Sequence, residues 1–164
     1  MHTGKAIIVF LGAVWLSGCS IMSETHDPAS YRGALHGRAI QGDAEAQYRL
    51  GKTYCCGYDA TRSTVKARVW FCRAAVQGHP LAQYELGRLY ELYSVKWRPR
   101  TGTQDVIQSH MWYSLAAEQG NHMAALNKAT LEQEMSQRTI AAAQRLKSQW
   151  RQKACSDVGR IASH

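Results

Sequence analysis

Residues 39–54 return as residues 75–90, 36 positions later, with nine of the sixteen positions identical. The matches are Ala39/Ala75, Gln41/Gln77, Gly42/Gly78, Ala46/Ala82, Gln47/Gln83, Tyr48/Tyr84, Leu50/Leu86, Gly51/Gly87 and Tyr54/Tyr90. A self-match at a fixed period of this length marks stacked structural units, each unable to bury its apolar face alone. Such a chain is quasi-one-dimensional, and its stack usually supplies a binding surface rather than a reaction centre.

The spacing of apolar and punctuating residues makes each unit a pair of helices. Asp27-Pro28 is a helix-start signal, and Tyr31 to Gln41 reads as a helix ended by Gly42, a half-unit without a partner before it. Asp43 can cap the next helix, where Ala46, Leu50 and Tyr54 share one face up to Gly57. Arg62 to Gln77 is its partner, carrying Ala67, Trp70, Phe71, Ala74 and Ala75, and Gly78 ends it. The second unit is expected as helices from Pro80 to about Tyr93 and from Asp105 to Gln119. There Trp112, Tyr113, Ala116, Ala117, Gln119 and Gly120 match the first unit at a spacing of 42. The six extra residues fall in a turn within Ser94 to Thr103. Met123 to Glu134 continues as a weaker copy, and Ser136 can cap a last helix from Gln137 to about Lys153. End units of a stack are atypical, so this helix reads as a cap.

Ahead of the repeats, Lys5, the apolar run Ala6 to Leu16 and Leu16-Ser17-Gly18-Cys19 follow in order. The apolar run fits a secretory segment and is too short for the roughly 20 residues of a membrane span. Leu-Ser-Gly-Cys resembles the lipobox of bacterial lipoproteins. That resemblance implies removal of residues 1–18, lipidation of Cys19 and anchoring by acyl chains. Ser20 is not the Asp associated with inner-membrane retention, so the expected place is the periplasmic face of the outer membrane. Residues 19–28 then form the lipidated terminus and linker, 29–153 the helical stack and 154–164 a flexible tail.

Loss of the leader, whose one charged side chain is Lys5, takes the formal charge from +8 to +7. In a secreted protein such a balance points away from nucleic acid and toward anionic lipid, cell-wall polymers or an acidic protein. Four cysteines remain: Cys55, Cys56, Cys72 and Cys155. An oxidising compartment permits a disulfide. A bridge from Cys55 or Cys56 to Cys72, with Cys56–Cys72 the expected pair, would tie the first helix pair together. The separation along the two helices strains the ~7 Å Cα limit, and Cys155 has no evident mate.

The small residues at recurring positions let helices approach closely, while Tyr and Trp fill the gaps. The unit Gly-Asp/His-x-x-Ala-Gln-Tyr-x-Leu-Gly-x-x-Tyr, followed by Ala-x-x-Trp-Phe-x-x-Ala-Ala-x-Gln-Gly, resembles the Sel-one-like repeat, a relative of the 34-residue tetratricopeptide repeat. The likeness covers about Ala39 to Ala129. It departs at Gly57-Tyr58-Asp59-Ala60, where the family favours Gly-x-Gly-Val. The resemblance implies an all-α fold: a short right-handed α-solenoid of antiparallel helix pairs with a C-terminal capping helix.

Catalytic patterns are sparse. Ser63-Thr64-Val65-Lys66 spells S-x-x-K, but its companion motifs are absent, and the repeat itself favours Lys-Ala at a helix start. Gly51-Lys52-Thr53 lacks the glycine a phosphate loop needs five residues earlier. The seven histidines show no metal-ligand spacing, and Cys55-Cys56 is not C-x-x-C. From the sequence no nucleophile, base and orienting group assemble. The expectation is a non-enzyme with no cofactor, no metal and no catalytic residue.

Two surfaces remain for a partner. In related repeats the first helix of each unit lines the concave face. Its polar positions here include Gln47, Arg49, Lys52, Gln83, Glu85 and Arg88, with Lys52 and Arg88 in register as a basic stripe. The alternatives are a solvated face, and glutamines that make structural hydrogen bonds. The second surface is the inserted turn, with Lys96, Trp97, Arg98 and Arg100 around Pro99. Cations beside an exposed Trp suit an acidic protein patch or a lipid head group, and a Trp tucked onto the core is the alternative. The expected function is a lipid-anchored periplasmic scaffold or adaptor with a protein partner in the cell envelope. The resemblance also implies an alternative, an immunity protein neutralising a membrane-acting secretion-system toxin such as a phospholipase. A cell-wall or β-lactam-acting hydrolase is the remote third.

Overall fold

A computed structural model describes residues 28–56, 63–96 and 102–150. Among them are seven helices and no strand: α1 (Pro28–Ile40), α2 (Ala44–Cys56), α3 (Thr64–Val76), α4 (Pro80–Lys96), α5 (Gly102–Glu118), α6 (His122–Glu134) and α7 (Gln137–Gln149). Each helix from α1 to α6 packs on its neighbours in sequence, and α7 folds back onto α5. The chain is an α-solenoid of helix pairs, with α1 as a half-unit and α7 as the cap. No described helix is long and apolar enough to cross a membrane.

The same device joins one unit to the next at three places. Gly42, Gly78 and Gly120 have φ of +97°, +87° and +85°, a left-handed conformation that costs glycine little. The N–H of the residue after each glycine bonds back five residues: Asp43 to Arg38 O, His79 to Ala74 O and Asn121 to Ala116 O, at 3.1–3.2 Å. That following residue also caps the next helix. Asp43 Oδ1 accepts the Ala46 N–H at 2.9 Å, His79 Nδ1 that of Ala82 at 3.3 Å, and Asn121 Oδ1 that of Ala124 at 3.0 Å. One dipeptide thus stops a helix and starts the next, which sets the repeat boundary.

Between the helices of a unit, a glycine faces an aromatic ring. A methyl group added at Gly51 would lie 2.6 Å from the Phe71 ring, and one at Gly87 2.5 Å from the Tyr113 ring. Both are far inside van der Waals contact, so the rings occupy the space that glycine leaves. Each ring is also tilted against the tyrosine one turn earlier: Tyr48–Phe71 at 6.0 Å and 37°, Tyr84–Tyr113 at 5.9 Å and 38°. The apolar core runs through the stack in three clusters. Trp70 packs with Leu35, Ala39, Ala46 and Leu50; Phe71, Leu86 and Trp112 are in the central cluster; Tyr113, Ala116, Ala124 and Leu131 form the last. The α7 end reaches the central cluster, where Trp150 meets Trp112 edge-on at 5.4 Å.

Three sequence expectations need correction. The insertion in the second unit lengthens its helices: α4 runs to Lys96 rather than Tyr93, and α5 begins at Gly102 rather than Asp105. Both have 17 residues against 13 in α2 and α3, about one extra turn each. The last helix ends at Gln149, where Trp150 caps it, short of Lys153. The Cys56–Cys72 bridge is not formed. Cys55 and Cys56 are free thiols with their sulfurs 2.9 Å apart, and Cys72 is disulfide-bonded but to neither of them. The reason is direction: Cys56 ends α2 exposed, whereas Cys72 lies two turns into α3, buried in the central cluster. Burial pushes the Cys55 thiol up to about 12, so it is a poor nucleophile at neutral pH.

Replacing Gly51 or Gly87 by Ala is expected to destabilise the fold by about 1–3 kcal/mol through overpacking. Pairing Gly51→Ala with Phe71→Leu should recover part of that loss in urea denaturation. Equal stability of Gly51→Ala and the parent would contradict the close approach.

Candidate functional site

The first helices of the two units, α2 and α4, carry the residues expected to meet a partner. Gln47 and Gln83 are buried and structural. Gln77 Nε2 donates to Gln47 Oε1 at 2.8 Å and Gln47 Nε2 to Ala39 O at 2.9 Å. One unit later, Gln119 Nε2 donates to Gln83 Oε1 at 2.6 Å and Gln83 Nε2 to Ala75 O at 3.2 Å. Of the two readings open in the sequence, the structural one holds for these glutamines.

Lys52 and Arg88 are brought together, but through an acid. Glu85, its side chain 7% exposed, accepts from Lys52 Nζ at 2.8 Å and from Arg88 Nη1 at 3.0 Å. The expected basic stripe is therefore a cation–carboxylate–cation bridge from one unit to the next, with a net charge of +1. A buried carboxylate needs such partners, and two of them hold both cations in fixed positions. Arg88 remains 50% exposed, with its guanidinium 5.9 Å from the Tyr84 ring centre, and Lys52 is 37% exposed. Arg49 is drawn away to Glu45 on its own helix at 2.5 Å.

Lys96 closes α4. Its side chain, and all of Trp97, Arg98, Arg100 and the expected lipidation residue Cys19, lie outside the described residues. The S-x-x-K residues serve the start of α3. Ser63 Oγ accepts the Lys66 N–H at 3.3 Å, and the Lys66 ammonium sits 5.5 Å from the Tyr54 ring centre.

A second polar group was not foreseen. His110 Nε2 is 2.7 Å from Glu132 Oε1, and Ser114 Oγ is 3.5 Å from His110 Nδ1. A hydroxyl, an imidazole and a carboxylate are thus assembled after all. The Ser114 proton is directed to the His110 carbonyl at 2.8 Å, so the chain is a relay of structural hydrogen bonds rather than an activated nucleophile. Two signals in the sequence mark it: the i, i+4 spacing of His110 and Ser114, and their replacement of Arg68 and Cys72 in the first unit. Glu132, from another helix, has no such signal. No group of three or more His, Cys, Asp or Glu among the described residues can hold a metal ion.

The family model described as Sel1 repeat matches residues 44–79 and 80–121, the two units delimited by the glycine–cap junctions. The chain carries two Sel1 repeats. No curated protein sequence matches it. Sel1 repeats generally mediate protein–protein interaction, and their all-helical scaffold is typically non-enzymatic.

Two histidine–glutamate pairs, His110–Glu132 between α5 and α6 and His79–Glu45 between the turn before α4 and α2, set a pH dependence. A hydrogen bond from His110, reinforced by Lys128, holds Glu132 below the usual carboxylate range. His79, at 2.9 Å, does the same for Glu45, helped by Arg49. A carboxylate depressed in the fold contributes stability that is complete above its unfolded pKa and lost as pH falls through the folded value. With unfolded Glu near 4.5, melting temperature should fall more steeply below pH 4.5 for the parent than for Glu45→Gln/Glu132→Gln. Because the Glu45 and Glu132 carboxylates are themselves partly exposed, each pair contributes on the order of 1 kcal/mol. Parallel curves for the two proteins would contradict the assignment.

Proposed function

We propose that this protein is a lipid-anchored periplasmic scaffold or adaptor that binds an envelope protein through the face formed by α2 and α4. The observation that carries the binding half is the Lys52–Glu85–Arg88 bridge. It fixes two cations from successive Sel1 repeats on one surface and leaves half of the Arg88 guanidinium side chain open. Planar donors held in place are suited to carboxylates, so the partner surface is acidic. Preorganisation lowers the ordering cost of binding, which gives the buried Glu85 a purpose beyond cancelling charge. The anchoring half is supported by Leu16-Ser17-Gly18-Cys19 after the short apolar run.

A narrower form of this reading makes the partner a membrane-acting toxin with an acidic patch, and the protein its immunity factor. The same basic face favours it, and tethering at the membrane would put the protein where such a toxin acts.

The test compares cross-linked partner recovery from the envelope for the parent, Arg88→Gln and Cys19→Ser. Arg88→Gln leaves Lys52 on Glu85 and should keep the melting temperature, while weakening capture about tenfold. Cys19→Ser should appear in the soluble fraction. Undiminished capture by Arg88→Gln would discard this face, and Cys19→Ser persisting in the membrane fraction would discard the anchor.

A further inference from the structure

A cavity of about 310 Å³ lies between α5, α6 and the cap helix α7. Its wall includes His110, Ser114 and Glu118 from α5, Lys128 from α6, and Gln144 and Lys147 from α7. It is separate from the α2–α4 face. It is also particular to the last unit, because Arg68 and Cys72 stand in the first unit where His110 and Ser114 stand here.

Donors on this wall come from Lys128, Lys147 and Gln144. His110 and Ser114 are buried, and the Glu132 carboxylate already accepts from His110 at 2.7 Å and from Lys128 at 3.1 Å. Glu118 is the only carboxylate among the described lining residues, and it is 58% exposed and paired with Lys147. Against it stand two ammonium groups and a carboxamide, while the Ser114 proton is held by the His110 carbonyl. The lysine pairs join partly exposed groups, so they are weak in water and give way readily to a better-placed anion. Lysine stems are flexible, and an ammonium can turn its three donors toward a new acceptor without moving the helix. The volume is at the low end for small-molecule sites. A compact ligand fits it, whereas a peptide segment does not.

We propose that this cavity binds a small oxyanion, a phosphate or carboxylate group, held by Lys128 and Lys147 over a floor of His110 and Ser114. The site would let the cap respond to a soluble anion, because its two lysines come from α6 and α7 while its floor belongs to α5. This holds whether or not the α2–α4 face binds a protein.

The experiment follows the His110 ring resonances in the full mature chain during titration with inorganic phosphate and, separately, acetate at constant ionic strength. A saturable shift with either ion supports the site, and the ion that binds more tightly names its chemistry. Lys128→Met/Lys147→Met should weaken that binding at least about tenfold. Arg145→Met removes one positive charge from α7 outside the cavity and should leave it unchanged. Circular dichroism confirms that each variant is folded, and the single lysine variants serve if the double variant is not. No saturable shift with either ion, or one that survives loss of both lysines, overturns the proposal. An equal loss in Arg145→Met also overturns it, by reducing the effect to overall charge.

Discussion

Successive helix pairs are locked to one another by two glutamine ladders, Gln77 to buried Gln47 to the Ala39 carbonyl and Gln119 to buried Gln83 to the Ala75 carbonyl. A buried carboxamide that lost its partner would forfeit its hydration without compensation. Each pair of glutamines therefore selects one stacking register. With the register set, Gly51 and Gly87 face their aromatic rings, the Ala-rich faces meet, and Glu85 falls between Lys52 and Arg88. The turn glycines fix where each helix ends; the glutamines fix how the next one sits on it.

Much of this was legible from residues 36 apart. The glycine before each cap, the apolar faces and the Ala-Ala pairs are local signals, and they gave helices that differ from the observed ones mainly at their ends. What escaped depends on contacts between units. Lys52 and Arg88 look like a bare basic stripe until the register places Glu85 between them. Cys56 and Cys72 look like a pair until the helix directions send one outward and the other into the core. The six inserted residues read as loop, because Ser94 to Thr103 contains Pro99 and Gly102, yet part of the insertion extends α4 and α5 by a turn. The packing of α7 on α5 rather than α6 is not written in any periodicity, since Ile140, Ala143 and Leu146 specify a face but not its partner.

The division between repeated and unrepeated residues organises the function. What recurs in both Sel1 repeats, the glutamines, the glycines and the aromatic rings, is structural. What occurs once is chemical: the Glu85 bridge spans the two units, and the Ser114–His110–Glu132 relay lies under the cap. The first supplies a fixed cationic surface suited to an acidic protein. The second lines a donor-rich cavity. Both use polar groups that a simple stack would not bury, which is why they stand out once the repeating interactions are set aside.

The central claim is that the glutamine ladders hold the stack in register, each buried glutamine being fixed by a second glutamine of its own unit so that it reaches the backbone carbonyl of the unit before. A double-mutant cycle on Gln83 and Gln119, each replaced by Ala and read by urea denaturation, tests it directly. The account predicts a coupling of about 1 kcal/mol between positions 36 residues apart. Additive losses, with no coupling, would contradict it.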